Sequence, residues 1–153
     1  ALAATDHQTL DNEEVRILGS KTTRKVLVVD DNKDAAETLQ LLLEAAGHQV
    51  LVAYTAHEAL ALVSNSTPAV LFLDIGLPDM DGYALARRLR ALPALNSSTL
   101  VALTGYGQLE ARQHAKDAGF DHFLVKPVML PDMLEVLEEQ SSREYGSVLA
   151  DKS

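Results

Sequence analysis

The stretch that decides the fold is Ala69-Val-Leu-Phe-Leu-Asp74-Ile-Gly-Leu-Pro-Asp-Met-Asp81-Gly82. Five apolar or small residues run without polar interruption into a carboxylate, and a segment rich in Gly, Pro and Asp follows. A continuous apolar run is typical of a parallel strand that helices cover on both faces. In open parallel sheets, chemistry takes place just beyond the carboxyl ends of the strands. The stretch therefore places Asp74 at a candidate active site.

Similar short apolar runs occur before and after this strand, and a helical pattern follows each of them. The other predicted strands are residues 25–30, 49–53, 99–103 and 121–125. The predicted helices are residues 32–46, 56–64, 81–92, 108–118 and 131–140. This alternation predicts an α/β fold with a doubly wound, five-stranded parallel sheet, right-handed crossovers and helices on both faces.

Composition and charge limit the classes of function. The chain has 153 residues, 47% hydrophobic residues, no Cys, no Trp and a net charge of −9. These values predict one globular domain, residues 25–140, between two tails, residues 1–24 and 141–153. The acidic charge argues against nucleic acid as a partner, and no apolar run is long enough to span a bilayer. Without a signal pattern or cysteines, we expect a cytoplasmic setting, although the parent chain could be membrane-associated.

The helix at 81–92 has a clear amphipathic pattern. Its expected apolar face consists of Leu85, Leu89 and Leu92. Its arginines lie mostly away from that face, which predicts a solvated surface formed by Arg87, Arg88 and Arg90. The helix at 108–118 offers only a thin stripe of alanines, so we expect it to be the most loosely held.

The histidines and Tyr106 carry no functional signal of their own. The histidines lack the spacing of metal ligands. We therefore expect His48, His57, His114 and His122 to be surface or strand-end residues. His7 belongs to the predicted tail, and Tyr106 is expected to be an ordinary loop aromatic beside the pocket.

Polar residues follow four of the five predicted strands at one edge of the sheet: Asp30, Asp31, Asp74, Thr104 and Lys126. Three carboxylates this close repel one another at neutral pH, so they require a cation or raised pKa values. Mg²⁺ prefers carboxylate oxygens and leaves positions for water and a phosphoryl group. With that charge screened, Asp74 could attack phosphorus to form an aspartyl phosphate, and Thr104 and Lys126 could hold the phosphoryl oxygens.

Four motifs in this order resemble the receiver domain of two-component response regulators, from about residue 25 to 140. They are Val-Leu-Val-Val-Asp30-Asp31-Asn, Leu-Phe-Leu-Asp74-Ile-Gly-Leu-Pro-Asp-Met-Asp-Gly82, Ala-Leu-Thr104-Gly and Phe123-Leu-Val-Lys126-Pro127. The resemblance implies a flavodoxin-like sheet of order 2-1-3-4-5 with Asp74 as phosphoacceptor. It also implies Mg²⁺, or Mn²⁺, held by Asp31, Asp74 and the Gly76 carbonyl, with Asp30 acting mainly through water.

The same resemblance implies a conformational switch formed by Thr104 and Phe123. Lys126 matches the family's phosphate-contacting lysine, which precedes a cis-proline. Phe123 stands where many members have Tyr, so a hydrogen bond through a ring hydroxyl is impossible here. The sequences around Asp74, Thr104 and Phe123 are similar to those of receivers attached to hybrid sensor histidine kinases. A stand-alone single-domain regulator is the alternative.

Such a receiver would take its phosphoryl group from the phosphohistidine of a kinase, or exchange it with a histidine phosphotransfer domain. The partner must leave Asp74 within reach of an imidazole, which restricts docking to the strand-end edge. The expected apolar contacts are Ala35, Val128 and Met129, with Pro127 shaping the loop. The domain would catalyse its own labelling and dephosphorylation, and whether the parent chain is a histidine kinase is left open.

Three other classes of function use related architectures. A nucleotide or flavin binder would need an amide-presenting loop after the first strand, where this chain has Asp30-Asp31-Asn32. A phosphatase or phosphotransferase would carry a second acid close after its nucleophile, but Ile-Gly-Leu-Pro follows Asp74. A degenerate receiver that only binds proteins would not need the complete set of site residues.

Overall fold

Five parallel strands form the centre of the molecule, which a computed structural model describes over residues 23–105 and 109–140. The strands are β1 (Lys25–Val29), β2 (Gln49–Ala53), β3 (Val70–Asp74), β4 (Thr99–Thr104) and β5 (His122–Val125). Their order in the sheet is β2-β1-β3-β4-β5, and each neighbouring pair is parallel. The structure confirms the doubly wound fold and the strand order that the resemblance implies.

Helices connect and follow these strands. Within the described residues they are α1 (Lys33–Ala45), α2 (Ala56–Asn65), α3 (Gly82–Arg90), α4 (Leu109–Ala118) and α5 (residues 130–140). None of them is long and apolar enough to cross a membrane. Residue 108, Tyr106 and nearly all of the predicted tails lie outside the described residues.

Alternate residues of the central strands face opposite sides of the sheet, so the same strands contribute to two cores. The core beneath α2, α3 and α4 includes Leu27, Val29, Leu71 and Leu73. The core beneath α1 and α5 includes Val26, Val28, Val70 and Phe72. Because both sides are covered, the strands are apolar without interruption, which is the pattern that identified β3.

The start and end of α1 follow the predicted local chemistry. The Asn32 side chain accepts a hydrogen bond from the Ala35 N–H at 3.1 Å and caps the helix. Leu39 and Leu43 are buried, and Gly47 follows the helix with a φ of +101°, a backbone conformation that favours glycine. The position of α1 places Asp31 directly in front of its first turn.

Helix α3 ends earlier than the sequence analysis predicts, and this changes which leucine is buried. Leu92 has an extended backbone, with φ −84° and ψ 120°, because a residue before proline avoids the helical region. Its side chain is 38% exposed, whereas Leu95, in the short 3-10 helix Pro93–Leu95, is 1% exposed. The prediction that Leu92 belongs to the apolar face was therefore wrong.

Arg90 also differs from the prediction, since it is only partly exposed while Arg87 and Arg88 are solvated. Its guanidinium and Nε–H donate to three carbonyl oxygens, on Gly119 at 2.9 Å, Leu95 at 3.2 Å and Ser98 at 2.8 Å. The guanidinium also pairs with Asp121. Arginine can bury its stem and still satisfy five donors, so it joins α3 to the turns before β4 and β5.

His48 and Arg24 are buried, directly before β2 and β1. Of the two predicted alternatives for His48, a surface residue or a strand-end residue, the structure shows the second. Arg24, which was predicted to lie in the tail, belongs to the packed fold. The Arg24 N–H donates to His48 Nδ1 at 3.1 Å, and the Gln49 N–H donates to the Arg24 carbonyl at 2.9 Å. Burial lowers the pKa of His48, and the charge of Arg24 lowers it further. His48 is therefore held in its neutral form.

Helix α4 contributes the narrow alanine stripe that the sequence predicts. Ala115 and Ala118 are buried, and Ala111 is partly buried. The edge-to-face contact of Tyr83 with His114, at 5.4 Å between ring centroids, joins α4 to α3. That α4 is the most loosely held helix stays a prediction.

Candidate functional site

Three carboxylates lie together at the carboxyl edge of the sheet, where the sequence analysis places them. Asp30 and Asp31 directly follow β1, and Asp74 ends the neighbouring strand β3. One oxygen of each carboxylate lies within 4.8 Å of the other two. Asp30 and Asp74 are 1% and 7% exposed, whereas Asp31 is open to solvent. Buried carboxylates so near each other repel, so the pocket requires positive charge.

Lys126 supplies part of that charge from the end of β5. Its Nζ lies 3.2 Å from Asp30 Oδ2 and 3.4 Å from Asp74 Oδ1. Its backbone N–H donates to the Thr104 carbonyl oxygen at 2.7 Å, and its peptide bond to Pro127 is cis, as the resemblance implies. One cation faces three carboxylates in this cluster. This oxygen-rich and negatively charged donor set fits a hard divalent ion.

Backbone N–H groups hold the two buried carboxylates in place. The Asn32 N–H donates to Asp30 Oδ1 at 3.0 Å, and the Gly76 N–H donates to Asp74 Oδ1 at 3.1 Å. Each donor lies two residues after its acceptor, as in an Asx turn. The side chains are therefore oriented by their own loops as well as by Lys126.

The electrostatics of the pocket make the ionised state of Asp74 costly. Burial raises the pKa of Asp74; the Gly76 N–H and Lys126 oppose this shift, while the charge of Asp30 adds to it. Burial lowers the pKa of Lys126, but Asp74 and Asp30 outweigh it, so the net shift is upward. Lys126 thus stays charged, and a further cation would stabilise the ionised Asp74.

The two residues of the implied switch lie on neighbouring strands, β4 and the edge strand β5. Thr104 ends β4 and is buried. Phe123 lies in β5, is partly buried, and packs against the core beneath α2, α3 and α4. The Arg112 guanidinium, from α4, lies 5.0 Å from the centre of the Phe123 ring. The Phe123 ring therefore contacts a cation.

A cleft with a volume of about 340 Å³ opens beside the carboxylates, between the start of α1 and the loop after β5. Its lining includes Asp30, Ala35, Lys126, Pro127 and Val128. Met129 lies in the same loop with its side chain 58% exposed. The structure thus places the predicted docking residues in the loop and helix that flank the pocket.

Sequence reasoning missed two residues near this edge, Arg112 and Asp79. Arg112 lies in a polar helix, where nothing in the local pattern indicates a contact with Phe123. Asp79 lies in the loop after β3 and accepts hydrogen bonds from the start of α2, a helix distant in sequence. The only available signal was an acidic residue inside a turn, which is usually unremarkable.

The sheet order, together with an acidic pocket that contains a lysine, defines the class of receiver-like α/β domains. The family model of the response regulator receiver domain matches residues 26–138. The chain therefore belongs to this family and is a receiver domain of two-component signalling.

Curated relatives agree with this membership. An uncharacterized 14.6 kDa protein in the sodA1 3′ region of Leptolyngbya boryana is 39% identical over 114 residues, which are 74% of this chain and 87% of that protein. The transcriptional regulatory protein ZraR of Salmonella typhimurium is 33% identical over 131 residues, 84% of this chain. The match spans only 29% of ZraR.

Solved structures show the same fold. A CheY-like response regulator receiver domain protein from Methanospirillum hungatei superposes with a TM-score of 0.72 at 32% identity, over 80% of this chain and 99% of that chain. The signal receiver domain of a signal transduction histidine kinase from Syntrophus aciditrophicus gives a TM-score of 0.71 at 28% identity, over 78% and 91% of the two chains.

Proposed function

We propose that residues 25–140 form a receiver that accepts a phosphoryl group on Asp74. The observation that carries this proposal is the buried Asp74 carboxylate, in contact with Lys126 and next to two further carboxylates. Because the Gly76 N–H and the Lys126 ammonium both contact Oδ1, we assign Oδ2 as the attacking oxygen.

The proposed donor is a phosphohistidine. A bond forms between Asp74 Oδ2 and phosphorus while the bond from phosphorus to the imidazole nitrogen breaks, and its electron pair stays on that nitrogen. Lys126 and the Thr104 hydroxyl contact the transferred phosphoryl oxygens. Lys126 is already within 3.4 Å of the acceptor carboxylate, so its charge is in place before transfer.

The cation that best fits the carboxylate cluster is Mg²⁺, with Mn²⁺ as a substitute. We assign Asp31, Asp74 and the Gly76 carbonyl as its ligands, with Asp30 acting mainly through water. When bound, the ion supplies charge neutralisation for the phosphoryl group. The excess of carboxylates over lysine in the cluster is what supports this assignment.

Intact-mass measurement with acetyl phosphate tests the proposal. The wild-type chain should gain the mass of one phosphoryl group with Mg²⁺ and none in EDTA, and Asp74→Asn should gain none. Asp117→Asn is the matched control, because it removes one exposed carboxylate from α4, outside both the metal cluster and the cleft. Labelling that persists in Asp74→Asn would refute the assignment.

Phosphorylation should act through Thr104 and Phe123. Thr104 would move toward the phosphoryl oxygens and Phe123 would turn inward, which shifts an existing equilibrium. Turning the ring gives up its contact with Arg112, worth about 0.5–1 kcal/mol at an exposed site. Hydrogen exchange in residues 109–124 should change on adding beryllofluoride, and equal protection in both states would count against the switch.

The proposed partners are the phosphohistidine domain of a histidine kinase and a histidine phosphotransfer domain. The cleft between α1 and the loop after β5 is lined in part by Lys126, which contacts Asp74. Ala35, Val128 and Met129 supply apolar contacts there. Transient signalling interfaces are small, so a few anchors should dominate the affinity. With a net charge of −9, we expect no nucleic-acid contact by this segment itself.

Met129→Asp tests the docking surface. It should slow phosphotransfer from a phosphorylated partner and leave labelling by acetyl phosphate unchanged. Leu92→Asp is the matched control, since Leu92 is also an exposed apolar residue but lies at the opposite edge of the sheet. Equal losses in both assays for Met129→Asp would mean that the substitution damages the pocket.

For the parent protein, we propose a cytoplasmic receiver segment of a hybrid sensor histidine kinase. The sequence of the motif around Asp74 and the structural similarity to the Syntrophus kinase receiver support a hybrid-kinase parent protein. A stand-alone regulator is the alternative. The complete open reading frame decides between them, because only the hybrid protein encodes a kinase core on the same chain.

A further inference from the structure

Asp79 lies in the loop that follows Asp74, residues 75–81, and its carboxylate reaches across to helix α2. Oδ1 accepts from the Ala56 N–H at 3.0 Å, and Oδ2 accepts from the His57 N–H at 3.1 Å. The His57 side chain contacts the same Oδ2 through Nδ1. Both oxygens of the carboxylate are therefore used, and one side chain bridges two elements more than 20 residues apart in the chain.

These hydrogen bonds complete the N-terminus of α2. A helix leaves its first four N–H groups without intrahelical partners. The Thr55 hydroxyl accepts from one of these groups, the Glu58 N–H, while the Ala59 N–H makes the first intrahelical bond, to the Thr55 carbonyl. Asp79 accepts from two more of them, the Ala56 and His57 N–H groups. Its pKa is lowered to about 2, chiefly by the Ala56 N–H, so the carboxylate is ionised at neutral pH and favourable at this end of the helix.

The base of the loop is fixed independently. The Ile75 N–H donates to the Leu103 carbonyl at 3.0 Å, and the Gly82 N–H donates to the Ile75 carbonyl at 2.9 Å. A Cβ on Gly82 would lie 2.5 Å from Ile75 Cα, so the two ends of the loop are in direct contact. Leu77 is buried in the core beneath α2, α3 and α4.

Gly76 lies between these fixed points and is exposed, yet its N–H holds Asp74 Oδ1 at 3.1 Å. Its orientation depends on the path of a short loop that is anchored at its base and at Asp79. We propose that Asp79 is a positioning residue of the metal site: by tying the loop to α2, it holds the Gly76 backbone in the place needed to bind Mg²⁺. This inference rests on the proposed function, which assigns the Gly76 carbonyl as a ligand.

The matched pair of variants is Asp79→Asn and Thr55→Ala. Asn keeps the shape but replaces one of the two acceptor oxygens with an NH₂ donor, which would face a backbone N–H, so the two-oxygen bridge to Ala56 and His57 is lost. Thr55→Ala removes the other side-chain cap of the same helix and leaves the loop untouched. Both variants weaken α2, but only Asp79→Asn releases the loop.

Calorimetric titration measures the affinity for Mg²⁺. The amide NMR signals of the metal-free protein report the conformation of the loop at residues 75–81. Asp79→Asn should bind Mg²⁺ about tenfold more weakly, in the range for residues that orient metal ligands. It should also shift the Gly76 amide signal, whereas Thr55→Ala should change neither. Unchanged Mg²⁺ affinity in Asp79→Asn, or an equal loss in Thr55→Ala, would overturn the inference.

The NMR measurement separates this inference from the proposed function. If wild-type protein binds no Mg²⁺, the proposed function fails. A Gly76 signal that still moves only in Asp79→Asn would then support the loop tether alone. If wild-type protein binds Mg²⁺ and the Gly76 signal is the same in both variants, only the positioning role of Asp79 fails.

Discussion

The amino edge of the sheet, where the strands begin, and the carboxyl edge, where they end, differ in how charged and polar side chains are paired. At the amino edge, where the strands begin, Arg90 contacts three carbonyl oxygens and Asp121, and Thr99 pairs with Gln140. At the carboxyl edge, Asp30, Asp31 and Asp74 face one lysine. Around Arg90 and Gln140, the amino edge matches donors to acceptors, which stabilises the fold. The carboxyl edge leaves charge uncompensated, which costs stability and prepares a site for a cation and a phosphoryl group.

Among the variants at the amino edge, Arg90→Ala should lower the stability of the protein most. It removes a donor from four acceptors and leaves the Gly119 and Ser98 carbonyl oxygens without a side-chain partner, while the Leu95 carbonyl and Asp121 each keep a backbone N–H. The free energy of unfolding should fall by about 3 kcal/mol. Urea denaturation measures this loss. Arg88→Ala, on the exposed side of the same helix, is the control and should change it by less than about 0.5 kcal/mol. Equal effects for the two variants would contradict the assignment of Arg90 as a structural bridge.

Gln140→Ala should have a smaller effect at the same edge. Gln140 donates to the Ser97 carbonyl at 3.0 Å and accepts from the Thr99 hydroxyl, and it is 4% exposed. Removing it should lower the free energy of unfolding by about 1–2 kcal/mol. Phosphoryl labelling of the folded protein should stay unchanged, because the contact lies at the opposite edge from Asp74. A loss of labelling without a loss of stability would contradict the assignment of Gln140 to a purely structural role at the amino edge.

We expect His48 to make the free energy of unfolding modestly dependent on pH. Its pKa is lowered below 6.5 in the folded state, mainly by burial, so the unfolded chain takes up the proton first as the pH falls. Stability from this residue is thus present above about pH 6.5 and declines as the pH drops below it. The free energy of unfolding of His48→Gln should depend less on pH between 7 and 5.5, roughly the range in which free histidine titrates. Identical slopes for wild type and variant would show that His48 does not titrate as expected.

The sequence predicted the carboxyl edge better than the amino edge, for a physical reason. Asp74 and Thr104 each end a strand, and Asp30 and Lys126 each directly follow one. Parallel topology brings these strand ends together once the strand order is known. The buried strands were predictable because an uninterrupted apolar run has few alternatives. Fold and pocket thus followed from local patterns plus topology.

What the sequence could not supply were contacts between side chains and the backbone of distant elements. Arg90 looks like any surface arginine until the turns before β4 and β5 are placed beside it. Asp79 and His48 likewise find partners on segments that periodicity does not relate to them. Leu92 is different, because Pro93 indicated that the residue before it would leave the helix, whereas the predicted helix of residues 81–92 included Leu92.

Denaturant unfolding of wild type and Asp74→Asn at pH 7, with and without Mg²⁺, tests the central claim most directly. If the carboxyl edge holds uncompensated charge, the metal-free Asp74→Asn protein should be more stable than metal-free wild type, because a buried carboxylate with a raised pKa has been neutralised. Mg²⁺ should stabilise wild type by binding the folded state, and it should stabilise the variant less. A variant that is less stable than wild type in EDTA, together with no effect of Mg²⁺ on either protein, would contradict the account.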